Sequence, residues 1–273
     1  MAFLRDRLRY LRRIFRVYLT SQKGYVAFWH EMPAVSDGIT RDTLGPYYMT
    51  FADKTRYTGP RDANGVILLD YFFDIGKQHN PLAIAQYGLG HFNLYLKTKD
   101  AKHLAEARMQ AEWLVHNLEK EREIFVWRHH FRWHYKQYLV QGWYSAHSQG
   151  AGISLLARMY LETRDERYRE AATRAFRALD TSVQDGGVKV CDANGDVWLE
   201  EYIVNPPTHI LNGYIWGLWG VWDYYLLTKD ERGRVLWNQC VQTLVRNLAR
   251  DDAGFWSLYA LSEQRLRMVG SRF

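Results

Sequence analysis

The stretch EEYIVNPPTH at positions 200–209 sets two carboxylates, a phenol and paired prolines directly before the aromatic run ILNGYIWGLWGVWDYY. Paired prolines break regular structure because each fixes φ and removes a donor. The apolar run behind them is too long for a loop and reads as a buried helix. Acidic and phenolic groups therefore sit on a stiff connection at a helix entrance. A partly desolvated carboxylate suits proton transfer, and a phenol can deliver a proton without adding charge to a resting site. Helix capping is the plain alternative for the same residues.

The elements that must hold such a site are legible in a repeat. YLKTKD (95–100), YLETRD (160–165) and YLLTKD (225–230) recur with a step of about 65 residues, which also links Leu114, Leu179 and Leu244. Each unit reads as an apolar inner helix (about 81–97, 148–162, 210–227), a Thr-Lys/Arg-Asp turn and an amphipathic outer helix (about 101–119, 166–180, 231–249). Stacked hairpins of this kind predict an all-α fold, an α/α toroid over residues 71–273. Its parallel inner helices present their N-termini at one mouth, a setting that favours an anionic ligand such as a carboxylate. The loops DIGKQHNP, QGWYSAHSQG and EEYIVNPPTH would meet there. Residues 30–70 read as an irregular or β-containing lead-in outside the repeat. By register the next inner helix would follow residue 273, so the toroid is expected to be incomplete, lacking its last hairpin.

Composition bounds the rest. A chain of 273 residues that is 47% hydrophobic and 15% aromatic, with eleven Trp and nineteen Tyr, is a folded protein. Its rings suffice both for a core and for sugar-facing surfaces. The net charge of +6 resides wholly in residues 1–23, where Leu4, Leu8, Leu11, Phe15 and Leu19 recur at helical spacing among arginines. Residues 1–29 thus read as a basic amphipathic helix suited to peripheral contact with an anionic membrane surface. No stretch is apolar enough for a transmembrane helix or a signal peptide. The expected location is cytoplasmic, at the inner membrane face, with no nucleic-acid partner; a homodimer is compatible with the sequence. Cys191 and Cys240 form no metal spacing and are expected as buried thiols. His129, His130 and His134 lack a second ligand cluster, so no metal is expected.

At NPLAIAQYGLGHFN, GWYSAHSQGAGISLLARMYLETRD, EEYIVNPPTHILNGYIWGLWGVWDYYLLTKD and DDAGFWSLYAL the sequence resembles the C-terminal domain of the D-glucuronyl C5-epimerases, over about residues 65–273. That family converts glucuronate to iduronate within polysaccharides such as heparosan. The resemblance implies an α/α toroid, no organic cofactor, and catalytic roles for Glu201, Tyr202 and Tyr259. It places Gln86, Tyr87, Trp143, Tyr144, Ser145 and Gln149 in the substrate cleft. His209 and Asn212, at the entrance to the third inner helix, are further substrate-binding candidates. Lys77, His79 and His209 are candidates to neutralise a substrate carboxylate. His147 stands where the family commonly has a hydrophobic residue and is read as variation. A further family tyrosine, in a Tyr-His motif, would follow Phe273 by register.

Two other readings compete. A polysaccharide lyase on the same fold would share the first step, abstraction of the C5 proton, and then expel the C4 substituent. A hydrolase needs two acids about 5–9.5 Å apart across the scissile bond, and the adjacent Glu200 and Glu201 should diverge instead. A non-catalytic glycan-binding remnant is the third reading.

Overall fold

The computed structural model describes residues 11, 24–30, 34–251 and 257–261. Most of the basic helix expected over residues 1–29 lies outside them, as do residues 262–273. A short helix, α1 (Tyr25–Trp29), precedes the repeat. Six longer helices form three hairpins: α2 (Pro81–Thr98) with α3 (Ala101–His116), α4 (Ala146–Thr163) with α5 (Glu166–Asp180), and α6 (Leu211–Thr228) with α7 (Glu231–Asp251). Helix α4 packs against both α2 and α6, and each of these inner helices packs against its own outer partner.

The local reasons repeat with the sequence. Each inner helix ends on a non-glycine residue in the left-handed region: Lys99, Arg164 and Lys229, with φ of 57°, 59° and 57°. One such residue reverses the chain at a modest conformational cost. The hydroxyls of Thr98, Thr163 and Thr228 donate back to the carbonyls of Leu94, Met159 and Tyr224 and accept from the amides of Asp100, Asp165 and Asp230. Those aspartates then accept the amides of Lys102, Arg167 and Arg232, opening the outer helices. A cap of this kind contributes about 1 kcal/mol. The inner helices begin at Asn80, Ser145 and Ile210, again 65 residues apart.

Tight contact between inner helices depends on glycine. A Cβ at Gly220 would stand 2.3 Å from Cα of Gly150, and one at Gly150 would stand 2.4 Å from the Trp216 carbonyl oxygen. The α4–α6 backbones therefore approach more closely than any side chain would allow.

Four two-stranded antiparallel sheets punctuate the described helices: β1 (Leu69–Asp70) with β2 (Lys77–Gln78), β3 (Glu119–Glu121) with β4 (Ile124–Val126), β5 (Trp133–His134) with β6 (Tyr138–Leu139), and β7 (Lys189–Cys191) with β8 (Val197–Leu199). The fold is thus mainly helical, with β-hairpins before and between the helix pairs where the sequence reading placed only connecting loops and an irregular or β-containing lead-in. The hairpin turns recur as well. DANG occurs at 62–65 and at 192–195, two steps of 65 apart. In both copies the aspartate Oδ1 accepts the amides two and four residues on, and the glycine has positive φ. Residues 62–65 and 192–195 therefore share one turn geometry. Cys240 is buried as expected, but Cys191 is exposed on β7, because one side of a two-stranded hairpin faces solvent.

The rest of the lead-in lies across the inner helices. Asn93, Arg158 and Asp223, again 65 residues apart, all bind it. Asn93 accepts from the Tyr47 amide at 2.7 Å and donates to the Met49 carbonyl at 2.9 Å. Arg158 donates to the Gly45 carbonyl at 3.0 Å and to Asp223 at 2.6 Å, and Tyr48 donates to Asp223 at 2.8 Å. Phe51 stacks on Trp216 with 5.2 Å between ring centroids. One position in each repeat thus points at the same segment.

Candidate functional site

Glu200 and Glu201 follow β8, and their side chains take different paths. The Glu200 carboxylate accepts the backbone amides of Thr208 and His209 and pairs with His209 Nδ1 at 2.6 Å. It closes the 200–209 loop on itself, which answers to a capping role. Glu201 is buried as well, yet its Oε2 has no hydrogen-bond partner. Space for that carboxylate comes from Gly213 in the first turn of α6, where a Cβ would stand 2.4 Å from Oε2.

Three phenols surround Glu201. Tyr202 follows it directly, and its phenol feels the Glu201 charge. Tyr259 arrives from the far end of the chain. Its carbonyl accepts the Leu211 amide at 3.2 Å, and an antiparallel bridge pairs Ile210 with Ala260. That short pairing sets the Tyr259 phenol near Glu201, whose charge it feels. Burial is the main cause that raises both phenols well above the ordinary 10, and the neighbouring Glu201 charge adds to it. Although Tyr259 keeps 36% of its surface open, the hydroxyl end is the enclosed part. Both groups are neutral donors near pH 7. Tyr135, from the tip of the β5–β6 hairpin, stacks on Tyr202 at 4.4 Å, and its own hydroxyl is buried without a partner. A contact between Gln137 and the backbone of Asn205 fixes that tip over the loop.

Helices α2 and α4 supply the remaining wall. His147, in the first turn of α4, is 6% exposed and points Nδ1 at Glu201 Oε2 across 3.8 Å. Its Nε2 lies 3.5 Å from the Gln86 amide nitrogen, and its ring faces Trp216 at 5.3 Å. Gln86 Oε1, His147 Nδ1, Glu201 Oε2, Thr208 Oγ1 and Tyr135 Oη are all buried without a partner. Unmatched polar atoms are individually costly and rare in native proteins. Their gathering around one carboxylate marks a polar site shaped for a ligand.

Of the residues expected in the site, Glu201, Tyr202, Tyr259 and Gln86 do come together, and Trp143 lies 5.5 Å from Tyr202. The others are held by structural partners. Tyr87 bonds Arg61 and Glu106. Ser145 caps α4. Gln149 bonds both backbone polar groups of Trp127. His79, Tyr144 and His209 occupy one repeat position just before each inner helix, and their polar ends are taken by Asp62, the Gly186 carbonyl and Glu200. Asn212 is exposed on α6, and Lys77 is exposed on β2. His147, Tyr135, Thr208 and Trp216 are the residues that sequence reasoning did not place here. A separate pocket of about 180 Å³ between α1 and residues 53–58 shares none of these side chains. Among the described residues no group of three or more His, Cys, Asp or Glu is placed to hold a metal ion.

The family model described as D-glucuronyl C5-epimerase C-terminus matches residues 120–272, more than half of the chain. The chain belongs to that family. A D-glucuronyl C5-epimerase of Caenorhabditis elegans is 32% identical over 138 residues, which cover 46% of this chain and 22% of the relative. An uncharacterized protein of Methanocaldococcus jannaschii is 27% identical over 202 residues, covering 68% of this chain and 65% of the relative. The chain therefore spans less than two thirds of the length of either. Among solved structures, a GH76 α-mannanase of Bacteroides thetaiotaomicron matches at a TM-score of 0.49 and 16% identity, over 67% of this chain and 45% of that one. The family match includes Glu201, Tyr202, Tyr259 and His147, and Gln86 lies N-terminal to it.

Proposed function

We propose that this C5-epimerase-family protein inverts C5 of D-glucuronate to L-iduronate within a heparosan-like polysaccharide, on an α/α toroid. The observation that carries the reading is the buried Glu201 carboxylate with one free oxygen and two neutral phenols, Tyr202 and Tyr259, beside it. C5 lies α to a carboxylate, so its proton is weakly acidic, and its removal needs a base, an opposite-face acid and help for the developing charge.

In this scheme Glu201 takes the C5 proton and the electron pair passes into the C5–C6 enolate. One of the two phenols returns a proton to the other face and becomes phenolate. After product leaves, Glu201 passes its proton to that neighbouring phenolate, so the site resets with no net gain or loss. The Glu201 charge opposes ionisation of either tyrosine, which makes its phenolate a strong enough base to recover that proton. Repeated positions such as Asn93, Arg158 and Asp223 meeting on one segment support the toroidal arrangement.

The test is incubation with a glucuronate polysaccharide in deuterated water. Label at C5, iduronate signals and unchanged chain length are expected by NMR. Binding without label would overturn the epimerase reading in favour of glycan binding alone. Shortened chains with ultraviolet-absorbing unsaturated ends would replace it with a lyase.

A further inference from the structure

We infer that His147 and Gln86 together form the subsite that receives the carboxylate of the uronate whose C5 reacts; this deepens the proposed function and rests on it.

Three observations carry it. First, the other cations considered for that carboxylate are engaged or placed elsewhere: His79 is paired with Asp62, His209 with Glu200, and Lys77 is exposed on β2. Second, Gln86 and His147 are 3% and 6% exposed, and each has a buried polar atom without a partner, Oε1 and Nδ1, the latter facing Glu201 Oε2. Third, the spacing suits the chemistry. The carboxylate carbon is bonded to C5, so the group that holds it must stand within a few ångström of the base. A base oxygen about 3–3.5 Å from C5 and a donor about 2.8 Å from a carboxylate oxygen are both compatible with the 3.8 Å between Glu201 Oε2 and His147 Nδ1.

The amide of Gln86 completes the arrangement. As placed, its nitrogen faces His147 Nε2 and its oxygen is unmatched. An amide N–H donated to Nε2 leaves the ring proton on Nδ1. His147 Nδ1–H and the second amide N–H would present two donors to one carboxylate. The Nδ1–H donor would also stabilise charge as the enolate forms.

The test compares binding of the intact protein to heparosan and to carboxyl-reduced heparosan, in which glucose replaces glucuronate. Wild type, His147→Met, His147→Gln and Gln86→Met are measured, with thermal melts to show that each is folded. Wild type should prefer the carboxylate polymer, and His147→Met should lose about tenfold or more of that preference while binding the reduced polymer as wild type does. His147→Gln and Gln86→Met should lose less. Preference unchanged in folded variants, or absent from wild type, overturns the inference. If both histidine variants fail to fold, Gln86→Met and the wild-type comparison still decide it. C5 labelling by wild type is read separately, so an inactive protein that keeps the His147-dependent preference would remove the epimerase reading and leave the subsite.

Discussion

Glu201 is the residue on which the site turns, and its neighbours let its role be separated from its packing. Glu201→Gln should lower C5 deuterium exchange by about 10²–10⁴-fold, with the melting temperature little changed because the removed charge has no buried cationic partner closer than 3.8 Å. Gly213→Ala probes the packing of that carboxylate. Its Cβ would meet Glu201 Oε2 at 2.4 Å and Glu201 Cβ at 2.5 Å. Exchange should fall together with a stability loss of about 1–3 kcal/mol, measured by NMR and thermal melt on the same sample. Histidines set the acid limb of stability. Burial holds the His129 imidazole down to about 3 and His91 down to about 4, against an ordinary 6.5. The unfolded chain therefore takes up protons first as pH falls. The stabilisation these two residues give is whole above about pH 6.5 and lost progressively toward pH 3–4. The melting temperature should decline through that window, and His129→Gln should flatten the decline, because Gln can still reach Ser148 from beside Trp143 without titrating.

At the scale of elements, the hairpin is the unit that sequence and structure share most closely. The Thr-Lys/Arg-Asp turn was legible because its three residues each do a separate task, and those tasks recur at Asp100, Asp165 and Asp230. The β-hairpins were not, because strands of two or three residues carry too little alternation to register. The DANG turns show the same limit: the position between them in register holds Trp127–His130, so the period is broken in the middle copy. The site divides likewise. Glu201, Tyr202 and Tyr259 followed from the family resemblance, whereas a lone histidine opening an apolar helix gives no sign that Gln86 and Glu201 will flank it. Loss of a cap should cost about 1 kcal/mol in Asp165→Ala. Gly220→Ala should cost more, about 1–3 kcal/mol, because the clash is with the Gly150 backbone and not with a side chain that can turn away. Urea midpoints of the two variants test that order.

On the scale of the whole molecule, the segment at 45–49 is what the three repeats hold in common. Its backbone pairs with residues 34–36 through a single antiparallel bridge, and other carbonyls and amides take partners from Asn93 and Arg158, while Asp223 holds the Tyr48 hydroxyl. The Arg158–Asp223 pair is 2% and 0% exposed. Removing one partner from such a pair leaves a buried charge unmatched and typically costs about 3–5 kcal/mol, whereas replacing both with apolar residues is often close to neutral. Arg158→Met should therefore be far more destabilising than Arg158→Met combined with Asp223→Leu. The double variant will not fully recover, since Gly45 loses a donor to its carbonyl and the Tyr48 hydroxyl loses its acceptor. Amide hydrogen exchange locates the effect. If the pair clamps the segment, residues 45–49 should lose protection together with the facing turns of α4 and α6 in the single variant, and the α2–α3 hairpin should be spared. Protection lost evenly throughout would mean instead that the pair only adds to global stability. Because Phe51 and Tyr47 of this segment pack on Trp216, and Trp216 faces His147, loosening the clamp should also reduce C5 exchange through a site that Arg158 never touches.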